Sequence, residues 1–472
     1  MFNFSGQVDP TQEKLFLIKR SSLELRSDPE YYRPRHYNDI EILKQSPYKL
    51  TTLDKVCDRI VDGPFGSAIK ADDYVEKGVP FIRVADVTRG KGTIKTEGMI
   101  YISESAHHKI LRSKVVPGDV VIAKTGATMG AASVIPESLK EANIRGDLGA
   151  LTTNDELHPE YLIAFINSKI GQRLFWRLNS GGTRGRVVIG NLKKYPILIP
   201  PIEDQLKIVS KLRESYLNRK IRENEAATLL SSFPLLIAKH AGIELPPLNP
   251  RKIFTVNIAD IENALNPERY SYDLDIESTW QTLADTGQVL HSSLTPSSKL
   301  HQDDHFSYLR IDDLPSNPVD YKPRNVLGKE INGSVQKIDS GDILISRLAP
   351  TIENKKFLLA NEHEHSMVGS NEFIRYKVNS NNNSVFILGL LRSDFYKMLM
   401  LAKSRGATPS RRRLSRIDFS FLPIPNVAIN LQNIIAREYN KNVAQATKIL
   451  LMAESDFKSE QVKIENSILG GL

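Results

Sequence analysis

Apolar residues recur along the chain with two spacings, one typical of strands and one typical of helices. The run VVPGDVVIAKTG (residues 115–126) places a β-branched segment after a Pro-Gly-Asp turn and predicts a strand. Residues 158–178 have the spacing of one helix face, and Pro159 suits the first turn of that helix. The alternation of such segments predicts a mixed α/β fold.

Two longer segments carry apolar side chains mainly at steps of three and four residues, a pattern typical of helices that pack along a seam. A helix from Glu203 to Ser231 would be about 43 Å long, since each residue adds ~1.5 Å. We predict that the two helices pack against each other as an antiparallel coiled coil; the alternative is that each packs on its own domain. The candidate helix–helix or partner contacts are Leu206, Val209, Leu212, Tyr216, Ile435, Tyr439, Val443, Leu450 and Phe457.

The order of motifs in the first half of the chain returns in the second half. Repeated order over this length indicates a tandem duplication of two halves, about 1–240 and 245–472. The segment IELPPLNPRK (243–252) is the predicted linker, because prolines stop a helix and hold the chain extended. The matched segments are FIRVADV (81–87) with YLRIDDL (308–314), PGDVVIAKTGAT (117–128) with SGDILISRLAPT (340–351), and YLIAFINSKIGQRL (161–174) with FILGLLRSDFYKML (386–399).

Each half of the chain contains one strongly basic segment. The formal net charge is +8 over 472 residues, which is mild, but residues 177–194 and 403–416 are basic and contain no acid. Both segments are Gly- or Ser-rich loops that lead into a Pro-flanked strand and a helix, and flexible Lys and Arg suit phosphate contacts. The candidate DNA-binding residues are Lys124, Arg184, Arg186, Lys193, Lys194, Arg347, Arg405, Arg411, Arg412, Arg413 and Arg416.

Other features bear on the cellular compartment. Apolar runs stay well below the ~20 residues that span a bilayer, and MFNFSGQVDPTQEK lacks the pattern of a secretory signal. The single cysteine, Cys57, excludes an internal disulfide and favours a reducing compartment; we interpret it as a small buried apolar residue. We therefore expect a cytoplasmic protein without a membrane partner.

Motifs for catalysis and metal binding are missing from the sequence. It contains no GxxxxGK[ST], CxxC or HExxH pattern. The His pairs at 107–108 and 363–365 are better explained as ordinary loop residues than as metal ligands. DPEYY (28–32) and NPERY (266–270) lack the second proline of an adenine methyltransferase loop. These observations favour a binding protein with no catalytic residues and no metal site.

Three segments of the first half resemble the specificity subunit of type I restriction–modification enzymes. They are DGPFGSAIKADDYVEKGVPFIRVADVTRG (62–90), YISESAHHKILRSKVVPGDVVIAKTGATMG (101–130) and SGGTRGRVVIGNLKKYPILIPPIEDQLKIV (180–209). Gly63 and Gly66 in the first segment either permit a tight loop or are ordinary turn glycines. The second half keeps the general pattern but lacks the GPFGS stretch.

The resemblance implies a non-catalytic DNA reader whose two globular domains each read one half of an interrupted double-stranded target. It also implies that the helices act as a spacer and dock two methyltransferase (M) subunits, which restriction/translocase (R) subunits then join. No cofactor is expected in this chain, because S-adenosylmethionine, ATP and Mg²⁺ would be bound by the partner subunits.

These expectations divide the chain into six parts. They are an N-terminal segment that packs with the first half (1–50), target-recognition domain 1 (51–202), spacer helix 1 (203–240), a linker with the start of the second half (241–275), target-recognition domain 2 (276–426) and spacer helix 2 (427–472).

Three other functions stay open at this point. The chain could serve a related modification or phage-defence system whose partner both methylates and cleaves DNA. It could be a stand-alone nuclease with an unrecognised carboxylate site, or an interaction scaffold that binds no DNA. Cleavage of DNA by the purified chain with a divalent metal would favour the nuclease.

Overall fold

The computed structural model divides the chain into two compact units. Unit 1 comprises Met1–Lys220 together with Ala453–Leu472, and unit 2 comprises Ile221–Met452. The structure describes residues 29–64, 68–88, 92–180, 185–246, 254–256, 279–290, 295–296, 300–315, 321–406, 408 and 411–471.

Unit 1 mixes short helices with short strands. Its helices are α1 (Pro34–Gln45), α2 (Leu53–Val56), α3 (Glu104–Lys109), α4 (Pro159–Asn167), α5 (Lys169–Arg177), α6 (Ile189–Leu192) and α7 (Ile202–Leu230), the last of which continues into unit 2. Its strands are β1 (Lys49–Thr52), β2 (Cys57–Asp62), β3 (Tyr74–Val75), β4 (Val79–Ile82), β5 (Ile100–Ile102), β6 (Lys114–Val115), β7 (Val120–Ala123), β8 (Ala132–Val134), β9 (Ala142–Ile144), β10 (Leu148–Thr153) and β11 (Pro196–Ile199).

The strands of unit 1 form three sheets. The four-stranded sheet has the order β2-β10-β7-β8, the five-stranded sheet has the order β3-β5-β4-β9-β6, and β1 pairs with β11. The predicted strand after the Pro-Gly-Asp turn is β7, whose side chains are buried throughout, as its unbroken apolar run requires. The helix predicted over 158–178 is two helices, since Ser168 ends α4 and its hydroxyl caps α5 by accepting from the Gly171 amide at 3.0 Å.

Unit 2 contains the same kinds of elements in largely the same order, with one short helix placed differently. Its helices are α8 (Phe233–Ala241), α9 (Leu283–Thr286), α10 (Ala349–Glu353), α11 (Ser384–Leu391), α12 (Asp394–Lys403), α13 (Arg416–Ser420) and α14 (Ile429–Ile468), the last of which ends in unit 1. Its strands are β12 (Gln281–Thr282), β13 (Gly287–Leu290), β14 (Thr295–Pro296), β15 (His305–Leu309), β16 (Arg324–Leu327), β17 (Ser334–Ile338), β18 (Asp342–Ser346), β19 (Phe357–Leu359), β20 (Met367–Ser370), β21 (Phe373–Val378) and β22 (Pro423–Ile424).

The sheets of unit 2 repeat those of unit 1. The order β13-β21-β18-β19 corresponds strand for strand to β2-β10-β7-β8, and β12-β22 corresponds to β1-β11. The five-stranded sheets share four strands, with one parallel pair at the centre of each, β4 with β9 and β15 with β20. They differ at the edge: β3 lies outside β5, whereas β14 lies outside β17, at the opposite end. The predicted mixed α/β tandem repeat is confirmed.

The long helices begin where the sequence predicts. Helix α7 follows Pro200 and Pro201 and ends at Leu230, because Pro234, in the first turn of α8, cannot continue it. Within unit 1, the ring of Tyr216 lies 5.6 Å from that of Phe457, and Arg219 pairs with Glu454 at 3.2 Å. These pairs run in opposite directions along the two segments, as antiparallel helices require.

The candidate helix contacts have different environments. Val209 and Leu212 lie in the core of unit 1, and Ile435 and Tyr439 lie in that of unit 2, where Val443 packs on the core. Leu450 is half-buried. Leu206 is 48% exposed, so of the two predicted roles, helix–helix contact and partner contact, its position fits the partner contact.

Candidate nucleic-acid interface

In unit 1, the basic loop is bound to the end of a central strand. Just after β7, the carbonyl of Lys124 accepts from the Val187 amide at 2.9 Å, and the Gly126 amide donates to the Gly185 carbonyl at 3.2 Å. Thr125 and Arg186 form an antiparallel bridge between these bonds. We call residues 124–126 with 185–187 the unit 1 junction. The hydrogen bonds fix one side of a loop that its Gly-rich sequence would otherwise leave free.

Lys124 lies beneath this junction. Its side chain is 2% exposed and forms an ion pair with Asp62 at the end of β2. Burial, with help from the positive charge of Arg186, lowers the pKa of Lys124 to about 8, and the negative charge of Asp147 opposes that change. Lys124 therefore does not face solvent in this structure, because β2 brings a carboxylate to it, and this position does not favour the predicted phosphate contact.

The other unit 1 candidates differ in position. Arg186, Lys193 and Lys194 are exposed, and the two lysines follow α6 directly. Their backbone is fixed by the core, since Tyr195 is fully buried and the Lys193 carbonyl accepts from the Asp54 amide at 3.0 Å. Arg184 lies outside the described residues. The structure thus presents three cations of the first basic segment to solvent.

Gly63 has a packing reason to be glycine. A Cβ atom there would lie 2.3 Å from the carbonyl oxygen of Arg145, so the backbones of the two loops touch. The tight-loop interpretation fits Gly63, while Gly66 lies outside the described residues.

Unit 2 contains the same junction. The carbonyl of Arg347, just after β18, accepts from the Leu414 amide at 2.9 Å, and Leu348 bridges Arg413. We call residues 347–349 with 412–414 the unit 2 junction. Arg347 occupies the place of Lys124, and Arg413 occupies that of Arg186. The repeated sequence segments thus form the same local structure twice.

Several arginines of unit 2 serve the fold. Arg412 donates to the carbonyls of Leu401 at 3.0 Å and Ser404 at 3.3 Å. Arg347 Nε donates to the Leu414 carbonyl at 3.0 Å. Arg416 Nη2 donates to the carbonyl of Phe373 at 3.4 Å. These three are half-buried, and backbone carbonyls hold part of each guanidinium group, so each serves the fold; their role as phosphate contacts stays a prediction.

The remaining arginines of this loop are exposed. Arg405 lies 3.6 Å from Asp418, and Arg413 lies 3.1 Å from Glu372. Among the described residues, no carboxylate lies within 4.0 Å of the exposed Arg411, so its charge faces solvent. Arg411 is the candidate whose surroundings best suit a nonspecific phosphate contact.

Each junction also contains an acidic residue that the sequence patterns did not indicate. Asp147 precedes β10, and Glu372 precedes β21. Their carbonyls accept from the amides of Lys124 at 2.9 Å and Arg347 at 3.0 Å respectively. The signal was present in the repeat, since an acid stands immediately before β10 and immediately before β21.

Other polar groups have ordinary roles. His107 Nδ1 hydrogen-bonds with Asn143 at 2.5 Å, and His363 Nε2 hydrogen-bonds with the Tyr321 hydroxyl at 3.1 Å. In the described part of the chain, no group of three His, Cys, Asp or Glu residues could hold a metal ion. No helix among the described residues is long and apolar enough to cross a bilayer.

One part of the chain matches a known protein family. Residues 60–229 match the family of the type I restriction modification DNA specificity domain, which confirms the resemblance. No curated protein matches this chain.

Three solved structures are similar to the chain at low identity. The first is described as the structural basis of complex assembly and conformational transition of the type I restriction–modification system. It is 16% identical to this chain with a TM-score of 0.47, and the match covers 91% of this chain and 100% of that one. The HsdS subunit from Thermoanaerobacter tengcongensis has 16% identity and a TM-score of 0.34, covering 90% and 97%. The type I S subunit from M. genitalium has 13% identity and a TM-score of 0.36, covering 91% and 96%.

Proposed function

We propose that this chain, which carries a type I restriction–modification DNA specificity domain at residues 60–229, is the DNA-reading subunit of a type I restriction–modification complex. In this proposal each unit reads one half of an interrupted double-stranded target. The observation that carries it is the second junction: unit 2, outside the matched segment, binds its own basic loop to the end of the corresponding strand. A site built twice fits a target with two halves.

The exposed cations have the chemistry for this role. Lys193 and Lys194 in unit 1 and Arg411 in unit 2 present positive charge on backbone that is anchored to a sheet or core. Lys and Arg bound to phosphates position a protein on DNA and carry little sequence information. Sequence is read instead by side chains that reach base edges in the major groove.

The chain itself is proposed to be non-catalytic. Methylation and cleavage are assigned to partner M and R subunits, which would bind S-adenosylmethionine, ATP and Mg²⁺, and the complex is expected in the cytoplasm. Within unit 1, helix α7 exposes a row of large apolar side chains: Ile202 is 45%, Leu206 is 48% and Leu217 is 57% exposed. Because their spacing places them on one face of the helix, they offer a docking surface for a methyltransferase subunit.

A domain exchange tests the two-reader proposal. Residues 51–200 are replaced by the equivalent domain of a related specificity subunit, and methylated bases are sequenced in cells that also contain the methyltransferase partner. We expect one half of the methylated motif to change, while the other half and the spacing between them persist. A simultaneous change of both halves would contradict independent reading.

The nuclease alternative needs a separate control. The purified chain is incubated with DNA and Mg²⁺, without partner subunits. We expect intact DNA, because methylation and cleavage belong to the partners. Cleavage that co-purifies with the chain and depends on the metal would replace the proposal with a nuclease.

A further inference from the structure

The guanidinium group of Arg413 is held in one orientation. Its Nε lies 3.1 and 3.2 Å from the two carboxylate oxygens of Glu372, and its Nη2 lies 3.2 Å from one of them. Its Nη1 donates to the Arg411 carbonyl at 3.2 Å. The carboxylate therefore occupies the edge that Nε and Nη2 share, in the planar fork geometry that arginine favours.

Glu372 and the Arg411 carbonyl leave some donors of the Arg413 guanidinium group without a partner in the described part of the chain. A guanidinium group carries five N–H bonds. Glu372 takes those of Nε and one of Nη2, and the Arg411 carbonyl takes one of Nη1. Within the described part of the chain, one donor on Nη1 and one on Nη2 remain without a hydrogen bond, on a side chain that is 42% exposed.

The backbone around this pair is equally constrained. The Arg413 amide donates to the Arg405 carbonyl at 2.7 Å, and the Arg405 amide donates to the Arg413 carbonyl at 3.0 Å. The Glu372 amide donates to the Ser370 hydroxyl at 3.2 Å, and its side chain is only 26% exposed. A phosphate contact needs only a positive charge within reach, whereas directional reading of a base needs a fixed fork.

We propose that Arg413, oriented by Glu372, reads a guanine in the half-site contacted by unit 2. The N7 and O6 atoms of guanine are adjacent acceptors in the major groove, and two parallel donors on one guanidinium edge match them. Arg413 is thus a specificity-determining residue and Glu372 is its positioning residue. This inference rests on the proposed DNA-reading function.

The equivalent place in unit 1 has different chemistry. There the acid is Asp147, one carbon shorter than Glu372, and its Oδ1 accepts from the Thr125 hydroxyl at 3.0 Å. The counterpart of Thr125 in unit 2 is Leu348, which has no hydroxyl to compete for the carboxylate. The two junctions therefore present different groups from the same backbone, as two different half-sites require.

The test compares methylated motifs. The full chain is produced in cells together with a type I methyltransferase subunit, and modified bases are sequenced for the wild type, Arg413→Ala and Glu372→Gln. We expect Arg413→Ala to relax one guanine position of one half-site by roughly ten- to a hundredfold, the discrimination of a bidentate arginine–guanine contact. Glu372→Gln should relax the same position less, because the amide keeps a hydrogen bond but loses the charge.

Two controls make the result specific. Arg411→Ala, in the same loop, should lower methylation evenly and leave the motif unchanged. Melting temperatures of the purified variants report folding, and a merely destabilised protein would lose all positions of the half-site together. Because Glu372→Gln is nearly isosteric, it still tests the idea if Arg413→Ala unfolds.

Several results would contradict guanine reading by Arg413. An unchanged motif with evenly reduced methylation in Arg413→Ala would make Arg413 a phosphate contact and overturn guanine reading. Relaxation at a base other than guanine, or in both half-sites, would also overturn it. If the wild-type chain directs methylation to no motif at all, the proposed function itself fails, and the inference falls with it.

Discussion

Tyr216 and Phe457 lie far apart in the sequence, yet their rings pack 5.6 Å apart in unit 1. The guanidinium carbon of Arg219 lies 4.6 Å from the centre of the Phe457 ring, and Arg219 also pairs with Glu454 at 3.2 Å. The end of the chain is therefore attached to the first unit by an aromatic and ionic contact, below which Ile464 and Ile468 enter the core.

Phe457→Ala should destabilise unit 1 by about 2 kcal/mol, less than the ~3–5 kcal/mol for a fully buried phenylalanine, because Phe457 is only half-buried. The loss combines the packing of Tyr216 with the cation–π contact of Arg219. Thermal unfolding measures the effect. Leu451→Ala on the same helix is the matched control. Because Leu451 is 67% exposed, the melting temperature of this variant should stay near that of the wild type. Equal effects of both changes would contradict the contact.

A buried ion pair stabilises unit 2. Arg375 and Asp342 are 4% and 0% exposed, and Arg375 Nη2 lies 2.6 Å from Asp342 Oδ2. Asp342→Ala should cost about 3–5 kcal/mol, because it leaves a buried cation with one partner fewer. Asp339 also contacts Arg375 but is 51% exposed, so Asp339→Ala should cost less than about 1 kcal/mol. Denaturation of both variants checks the order, and a reversed order would refute it.

The salt dependence of DNA binding should distinguish the exposed from the structural arginines of the unit 2 loop. Arg411→Ala should weaken DNA binding similarly across sequences and reduce the slope of log affinity against log salt by up to ~0.9. Arg412→Ala should instead lower the melting temperature, because Arg412 holds the carbonyls of Leu401 and Ser404. Binding titrations at several salt concentrations, read beside melting curves, test both. An unchanged slope for Arg411→Ala would remove this residue from the interface.

Cys57 should be unreactive in the folded protein. Burial, followed by the nearby charges of Asp58 and Asp54, raises the pKa of Cys57 from 9.0 to about 12. At pH 8 the thiolate fraction, and with it the alkylation rate, should be roughly a thousandfold below that of the unfolded chain. Timed alkylation with and without denaturant measures this; equal rates would show that the thiol is accessible and ionised.

The same shift predicts a pH dependence of stability. A raised folded pKa means that the unfolded chain loses its thiol proton first, so the contribution is fully present below pH 9 and decreases between pH 9 and about 12. Cys57→Ala should remove that part of the decrease. Parallel melting curves of both proteins at alkaline pH test it.

Features that depend on local pattern could be predicted from the amino-acid sequence. The run after Pro117 became β7, Pro159 began a helix, and the repeated motifs became corresponding strands in two sheets. Periodicity and turn chemistry act between neighbouring residues, so a linear chain reveals them. The basic loops were visible for the same reason, because charge composition needs no partner.

The role of each charged side chain depends on contacts that form only when the chain folds. Lys124 and Arg413 both read as loop cations, yet the register of β2 buries Lys124 against Asp62, while the loop before β21 places Glu372 beside an exposed Arg413. Likewise, Leu206 fits the apolar stripe of α7 but faces solvent. Strand register and helix rotation bring together segments that are distant in the chain. Whether a cation is buried as a structural residue or exposed for binding depends on the desolvation that these contacts cause, so the sequence pattern cannot reveal it.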